Sequence, residues 1–176
     1  MSRRRIAGLL AAAILPAAAA AWGWFFLRTP GVPLPPGVTL RQVRMSLTGK
    51  ETTVDLYLPR GVAQAPAAVV AHGFPRSRRN MAGWGGFLAA NGIIAAVPDL
   101  PTRAGHRRNS RAIRELVDAL RAGTLLPSPR PVGPVALLGM SAGGMCTLLA
   151  AESNHAVACW IGLDPVLGGP AGRSAA

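Results

Sequence analysis

The chain is poor in the residue types that build metal and redox centres. Its 176 residues include only two cysteines and three histidines, and these never fall at the short spacings that hold zinc or an iron–sulfur cluster. No metal is therefore expected. Two cysteines make no disulfide framework; Cys146 and Cys159 sit in apolar runs, where a free buried thiol is the ordinary state, with a disulfide left open if the domain is exported. Acidic residues are equally scarce, seven against nineteen basic ones, giving a formal net charge of +12. Apart from Lys50 every basic side chain is an arginine. The excess comes with no basic helix, aromatic stacking platform or zinc-ligand spacing, so no nucleic-acid partner is expected. A bias towards Ala, Gly, Pro and Arg accounts for it. Arg76, Arg78, Arg79, Arg103, Arg107 and Arg108 flank predicted strand ends and read as a solvated basic face, the alternative being recognition of an anionic substrate or lipid headgroup.

What the chain has in quantity is apolar residues, half of the total. Part of that half lies in residues 6–27, an uncharged and mostly apolar stretch behind Ser2-Arg3-Arg4-Arg5. At about 1.5 Å of rise per helical residue it is long enough to cross a bilayer core. Residues 1–28 are therefore expected to be an export signal or an N-terminal anchor, with the folded domain outside the cytoplasm. Ala19-Ala20-Ala21 suits cleavage; Trp22, Trp24, Phe25 and Phe26 before Arg28 suit an anchor that stays, and SRRR leaves a twin-arginine signal open. Residues 29–38, TPGVPLPPGV, form a proline-rich linker. The domain is expected over 39–176.

Within it, residues 40–47 and 52–58 alternate apolar and polar side chains around Thr48-Gly49-Lys50, the pattern of an antiparallel hairpin. Residues 67–71, 93–97, 135–138 and 156–163 are short apolar runs of the kind buried on both faces of a sheet. Helical patterns separate them. One spans 80–90, with Trp84, Phe87 and Leu88 on one face; the next spans 110–121, with Ile113, Leu116, Val117 and Leu120. Strands alternating with helices predict an α/β fold, a three-layer α/β/α sandwich whose mostly parallel sheet is entered through the hairpin.

The rest is organised around residues 134–152, PVALLGMSAGGMCTLLAAE. An apolar strand runs into Ser141, and a helical pattern carrying Met145, Leu148 and Leu149 runs out of it. A serine on so tight a strand-to-helix turn needs small residues two positions either side, and Gly139 and Gly143 stand there. Such an elbow exposes the hydroxyl at a helix N-terminus, where free N–H groups and the helix dipole favour developing negative charge. In a sheet of this kind ligands bind beyond the carboxyl ends of the strands, and His72-Gly73-Phe74, Asp99, Ser141 and Asp164 all fall there.

This ordered set (HGF after a strand, IIAAVPD at 93–99, GMSAG at 139–143, GLDPV at 162–166) resembles the α/β-hydrolase superfamily over residues 40–166. Within it, the chain is most similar to chlorophyllase-like and dienelactone-hydrolase-like serine esterases. The resemblance implies a carboxylic-ester hydrolase with no cofactor, acting through an acyl-enzyme on a small-molecule or lipid ester. Ser141 would be the nucleophile, the N–H groups of Phe74 and Ala142 the oxyanion hole, His72, Gly73, Gly139 and Gly143 its supports, and Asp164 the triad acid. Met140 stands where chlorophyllases usually carry histidine, which argues against chlorophyll. Asp99 reads as structural, a carboxylate receiving loop N–H groups.

The fold's order of Ser, acid, His finds no histidine after Asp164. His72 belongs to the oxyanion motif, His106 falls in a basic loop, and His155 precedes a strand at the far end of the sheet. The expectation is that the chain as given lacks the last strands and the histidine and is inactive by itself. The alternatives are a non-catalytic member that binds a ligand or partner, and a basic module that binds anionic lipid.

Overall fold

The computed structural model describes residues 31–62, 65–128, 132–152 and 154–166. The expected signal or anchor, residues 6–27, lies outside these, and among the described residues no helix is long and apolar enough to cross a membrane.

Strands β1 (Val38–Leu47) and β2 (Lys50–Pro59) pair antiparallel from Val38 opposite Pro59 to Leu47 opposite Lys50. Their two-residue connection has φ of 51° at Thr48 and 77° at Gly49, the positive angles that match the twist of a tight hairpin. Val38, expected to close the linker, is instead the first residue of β1 and is buried. The chain continues through β3 (Ala67–Ala71), a 3-10 turn at Arg78–Met81, α1 (Ala82–Ala90), β4 (Ile94–Pro98), α2 (His106–Arg121), β5 (Val135–Met140), α3 (Ala142–Ala151) and β6 (Val157–Leu163). The sheet order is β1-β2-β4-β3-β5-β6, with β1, β2 and β4 antiparallel and β4, β3, β5 and β6 parallel.

Alternation along the strands divides the core in two. Leu56, Val69, Ala71, Ala96 and Leu137 pack with Ile113, Leu116, Val117 and Leu120 of α2 and with Cys146 and Ala150 of α3. Their neighbours Tyr57, Val70, Ala95, Val97 and Leu138 pack on the other face with Met81 and Ala89. Successive side chains of a strand point to opposite faces, so a run apolar at every position requires helices on both.

Three local expectations are corrected. The basic loop expected over residues 103–108 ends earlier, and residues 106–108 belong to the first turn of α2. Buried Asn109 folds the preceding loop onto it, accepting the Thr102 N–H at 3.0 Å and donating to the Thr102 carbonyl at 2.8 Å. In α1 the residues grouped on one face part company: Leu88 packs on the core, whereas Trp84 and Phe87 are 40% and 58% exposed and meet edge to face at 6.2 Å. Gly85, Gly86 and Ala89 are buried: the helix lies so close to the sheet that a Cβ on Gly85 would come within 2.5 Å of the Tyr57 ring, and one on Gly86 would meet Pro35. Finally, β6 is not buried like the other parallel strands. Its Ile161 is 47% exposed and Cys159 is exposed rather than buried, since β6 lies at the edge of the described sheet with β5 as its paired neighbour. Both cysteines are free thiols.

Candidate active site

Ser141 stands between β5 and α3 with φ 51° and ψ −120°. A non-glycine residue at such a φ is strained by about 1–3 kcal/mol and persists only where its surroundings impose it. They do so here. The Ser141 N–H donates to the Leu163 carbonyl at 2.9 Å, and the Ser141 carbonyl accepts the N–H groups of Gly144 at 2.9 Å and Val166 at 3.2 Å. The expected need for glycine on both sides is visible as distance. A Cβ on Gly139 would strike Thr147 Oγ1 and the Gly143 carbonyl oxygen; one on Gly143 would strike the carbonyl oxygens of His72 and Ala71. The N-terminus of α3 is thus pressed against the end of β3, a packing that backbone atoms could not give up by side-chain motion.

The same closeness brings the β3 exit loop onto the elbow. A Cβ on Gly73 would lie 3.0 Å from the Met140 carbonyl oxygen and 3.1 Å from Ser141 Cβ. Beside the serine two backbone donors are unspent: among the described residues neither the Phe74 nor the Ala142 N–H has an acceptor, and the Ser141 hydroxyl has no hydrogen-bond partner. For Ala142 this is the ordinary condition of a helix's first residue. A hydroxyl and N–H groups without partners are the kinds of group that acyl chemistry on a carbonyl would use.

Behind the loop, His72 is buried and uses both ring nitrogens. Leu100 N–H donates to Nε2 at 3.0 Å, so the proton sits on Nδ1, which donates to the Gly73 carbonyl at 2.9 Å. Burial holds its pKa below the usual imidazole value; the Gly73 bond and the Asp99 charge oppose this but do not overcome it. Asp99 accepts the Arg78 N–H at 2.9 Å and the Arg78 guanidinium at 2.5 Å, and Arg78 Nε reaches Asp55 Oδ1 at 3.0 Å. Burial acts to lower the Arg78 pKa, but the Asp55 hydrogen bond and both carboxylate charges outweigh it and keep it above the ordinary value. Arg78 is therefore not part of a free basic face. Arg108 is also engaged, donating to the Thr48 carbonyl at 3.0 Å.

The other expected residues lie apart or in the open. Asp164 follows β6 at φ 47° and is exposed. It reaches the elbow through the chain, between Leu163 and Val166, which bond Ser141 from either side. His155 is exposed just before β6, hence at the opposite end of that strand from Leu163 and Ser141. The Nδ1 of His106 lies 3.6 Å from Cys146 Sγ. Burial pushes the Cys146 thiol up to about 11, only partly offset by hydrogen bonds from Asn109 and its own backbone, so it is a protonated thiol and not a second nucleophile. Among the described residues no group of three or more His, Cys, Asp or Glu side chains is placed to hold a metal.

Sequence reasoning named Arg78 only as part of a basic face, missing its buried pairing, and missed Thr147. Buried Thr147 donates to the Gly143 and Gly144 carbonyls at 3.0 and 2.9 Å and accepts Trp160 Nε1 at 2.9 Å, tying β6 to the first turn of α3. A threonine inside an apolar helical run was the available signal, since a buried hydroxyl needs partners.

No protein-family model matches the sequence, and no curated protein does. Solved structures do match in fold. An α/β hydrolase from Penicillium sp. sh18 superposes with TM-score 0.61 at 20% identity, covering 72% of this chain and 46% of its own. A dienelactone hydrolase from Anabaena variabilis ATCC 29413 gives 0.60 at 21%, with 72% and 63% covered. A bacterial heroin esterase gives 0.59 at 20%, with 86% and 50% covered. The chain has the α/β-hydrolase fold, with the mixed six-stranded sheet, helices on both sides and N-terminal antiparallel hairpin expected of it. It spans less than two thirds of the length of these structures, 46%, 63% and 50% of the three above and 48% of a hypothetical protein from Pseudomonas aeruginosa. The neighbours named above are, by their own names, a hydrolase, a dienelactone hydrolase and an esterase, and at 20–21% identity the likeness bears on the fold alone.

Proposed function

We propose that this domain supplies the nucleophile and the oxyanion hole of a serine hydrolase acting on carboxylic esters. The observation that carries the reading is the strained Ser141 with two acceptor-free N–H groups beside it. Ser141 Oγ attacks the ester carbonyl carbon and loses its proton to a base. The carbonyl oxygen, now an oxyanion, accepts the Phe74 and Ala142 N–H groups, and collapse expels the alcohol and leaves an acyl-serine that water hydrolyses. Asp164 is the candidate acid, on the rim where a base oriented by it would meet Ser141.

Among the described residues no histidine is suited to be that base. His72 has both nitrogens occupied, His106 lies against Cys146, and His155 starts the far end of β6. By themselves these residues are expected to turn over esters feebly, since loss of a triad member costs of order 10⁴–10⁶ in rate. Export or anchoring through residues 6–27, with the domain outside the cytoplasm, is proposed from the sequence pattern alone, and fractionation of expressing cells tests it.

The test of the chemistry supplies the base from solution. Imidazole added to the purified chain with p-nitrophenyl butyrate should raise hydrolysis beyond imidazole's own rate, and Ser141→Ala should remove that increment. Equal rates in wild type and Ser141→Ala would overturn the reading and favour a non-catalytic protein that binds ligands at the same place.

A further inference from the structure

The inference concerns what holds the Phe74 N–H in place, and it rests on the serine-hydrolase reading above. The loop from His72 to Arg78 is fastened at both ends to two adjacent residues at the exit of β4. At the first end Leu100 N–H donates to His72 Nε2 at 3.0 Å; at the second the Asp99 carboxylate takes the Arg78 N–H at 2.9 Å and the guanidinium at 2.5 Å. The guanidinium also reaches Asp55 of β2 at 3.0 Å, and that same oxygen accepts Gln42 Nε2 from β1 at 2.9 Å. The side chains of Arg78 and Asp55 are 14% and 6% exposed.

Between the anchors, the largest side chain of the loop does nothing to hold it: Phe74 is 58% exposed. Core packing therefore does not set where the Phe74 N–H points. The loop also closes on itself, the Arg76 N–H donating to the Gly73 carbonyl at 2.9 Å, so that it moves as a turn; contact of Gly73 with the elbow sets one approach of that turn, and the two anchors set the other.

We infer that Arg78 is a positioning residue, which by bridging Asp55 and Asp99 fixes the His72 to Arg78 loop with its Phe74 N–H facing the oxyanion formed at Ser141. The side-chain type fits the task. A planar guanidinium stays charged when buried and presents separate N–H groups to two carboxylates on two strands, whereas an ammonium is a single point charge. Asp55 and Asp99 in turn need this cation, because two carboxylates drawn together without one would repel.

The experiment has two readouts on the full chain. The first is amide hydrogen exchange of residues 73–77 compared with β3 and β5. The second is the Ser141-dependent, imidazole-rescued rate with a fluorophosphonate probe, resolved into its saturation constant and its maximal rate. In Arg78→Met the loop amides should exchange faster while β3 and β5 keep their protection. The maximal rate should fall by about 10²-fold, the loss seen on removing one oxyanion donor, with the saturation constant little changed. Arg78→Lys should restore part of both. If Arg78→Met does not fold, Asp99→Asn, which keeps an acceptor for the Arg78 N–H but removes the charge, should show the same two changes in smaller measure. Unchanged loop exchange, or faster exchange with an unchanged maximal rate, would overturn the inference. Absence of any Ser141-dependent rate in wild type would instead sink the serine reading and with it the catalytic role of the clamp, and exchange would still decide whether Arg78 holds the loop.

Discussion

The two sides of Ser141 are built differently. On the side of β3 and β4, backbone packs on backbone around Gly139 and Gly143, His72 has both nitrogens bonded, and Arg78 is closed between two carboxylates. On the side of β6, Asp164 is exposed at a positive φ, and β6 is held by its pairing to β5, by the Trp160 to Thr147 bond and by the main-chain bonds of Leu163 and Val166 to Ser141. Electrostatic stabilisation of an oxyanion depends on dipoles that do not move as charge appears, so the β3 side has the rigidity that task needs. Proton transfer needs a base within reach, and the β6 side presents only a rim to which one would be added. On the proposed reading, the oxyanion half of the site lies on the tightly packed side and the half that needs a base lies on the exposed one.

The largest expected effect breaks the packed side. Gly143→Ala would set a methyl group against the carbonyl oxygens of His72 and Ala71, which are backbone atoms and cannot turn aside. Overpacking ordinarily costs about 1–3 kcal/mol, and a clash with two main-chain oxygens belongs at the upper end, about 3 kcal/mol. Urea unfolding measures it; a variant as stable as wild type would show that α3 does not press on β3 as described. A smaller effect comes from acid. The folded His72 has a lowered pKa, so the unfolded chain binds its proton more readily. The stability due to neutral His72 is therefore complete above the ordinary histidine value, near 6.5, and is lost as pH falls below it. Protonation would also end the Leu100 N–H bond to Nε2. Unfolding midpoints in His72→Gln should lose this part of the pH dependence, and an identical pH slope in both proteins would contradict the bonding described for the imidazole.

The packed side was also the legible one. Gly139, Ser141 and Gly143 could be placed from spacing because the constraint is local: a sharp turn admits few residue types at fixed offsets. Strand positions in β3, β4 and β5 were legible for a similar reason, since burial on both faces leaves an unbroken apolar run. The face of α1 was not. Helical periodicity picks the largest apolar residues, but close approach of this helix to Tyr57 selects glycine and alanine inward and leaves Trp84 and Phe87 outside. Nor was Arg78 separable from Arg76 and Arg79, because its role depends on Asp55 and Asp99, which are 23 and 21 residues away in sequence. Cys159 was expected to be buried and is exposed, because an apolar run does not by itself tell how far a strand is covered.

The open side gives the smallest expected effect, and its smallness is what sharpens the comparison. Replacing Asp164 by glycine removes a side chain from a residue at φ 47°, where most L-residues are strained by about 1–2 kcal/mol and aspartate by less. Relief of that strain should stabilise the fold. Against it, glycine gives the unfolded chain more freedom, which costs about 0.4–1 kcal/mol. The carboxylate is exposed and forms no hydrogen bond or ion pair among the described residues, so little else is lost. The two terms nearly cancel, and Asp164→Gly should unfold within about 0.5 kcal/mol of wild type, in contrast to the loss at Gly143. Denaturant midpoints for the two variants, measured together, make the comparison direct. A loss beyond about 1 kcal/mol at Asp164 would mean that its carboxylate fastens the β6 end to the elbow, and the β6 side would then be as constrained as the β3 side.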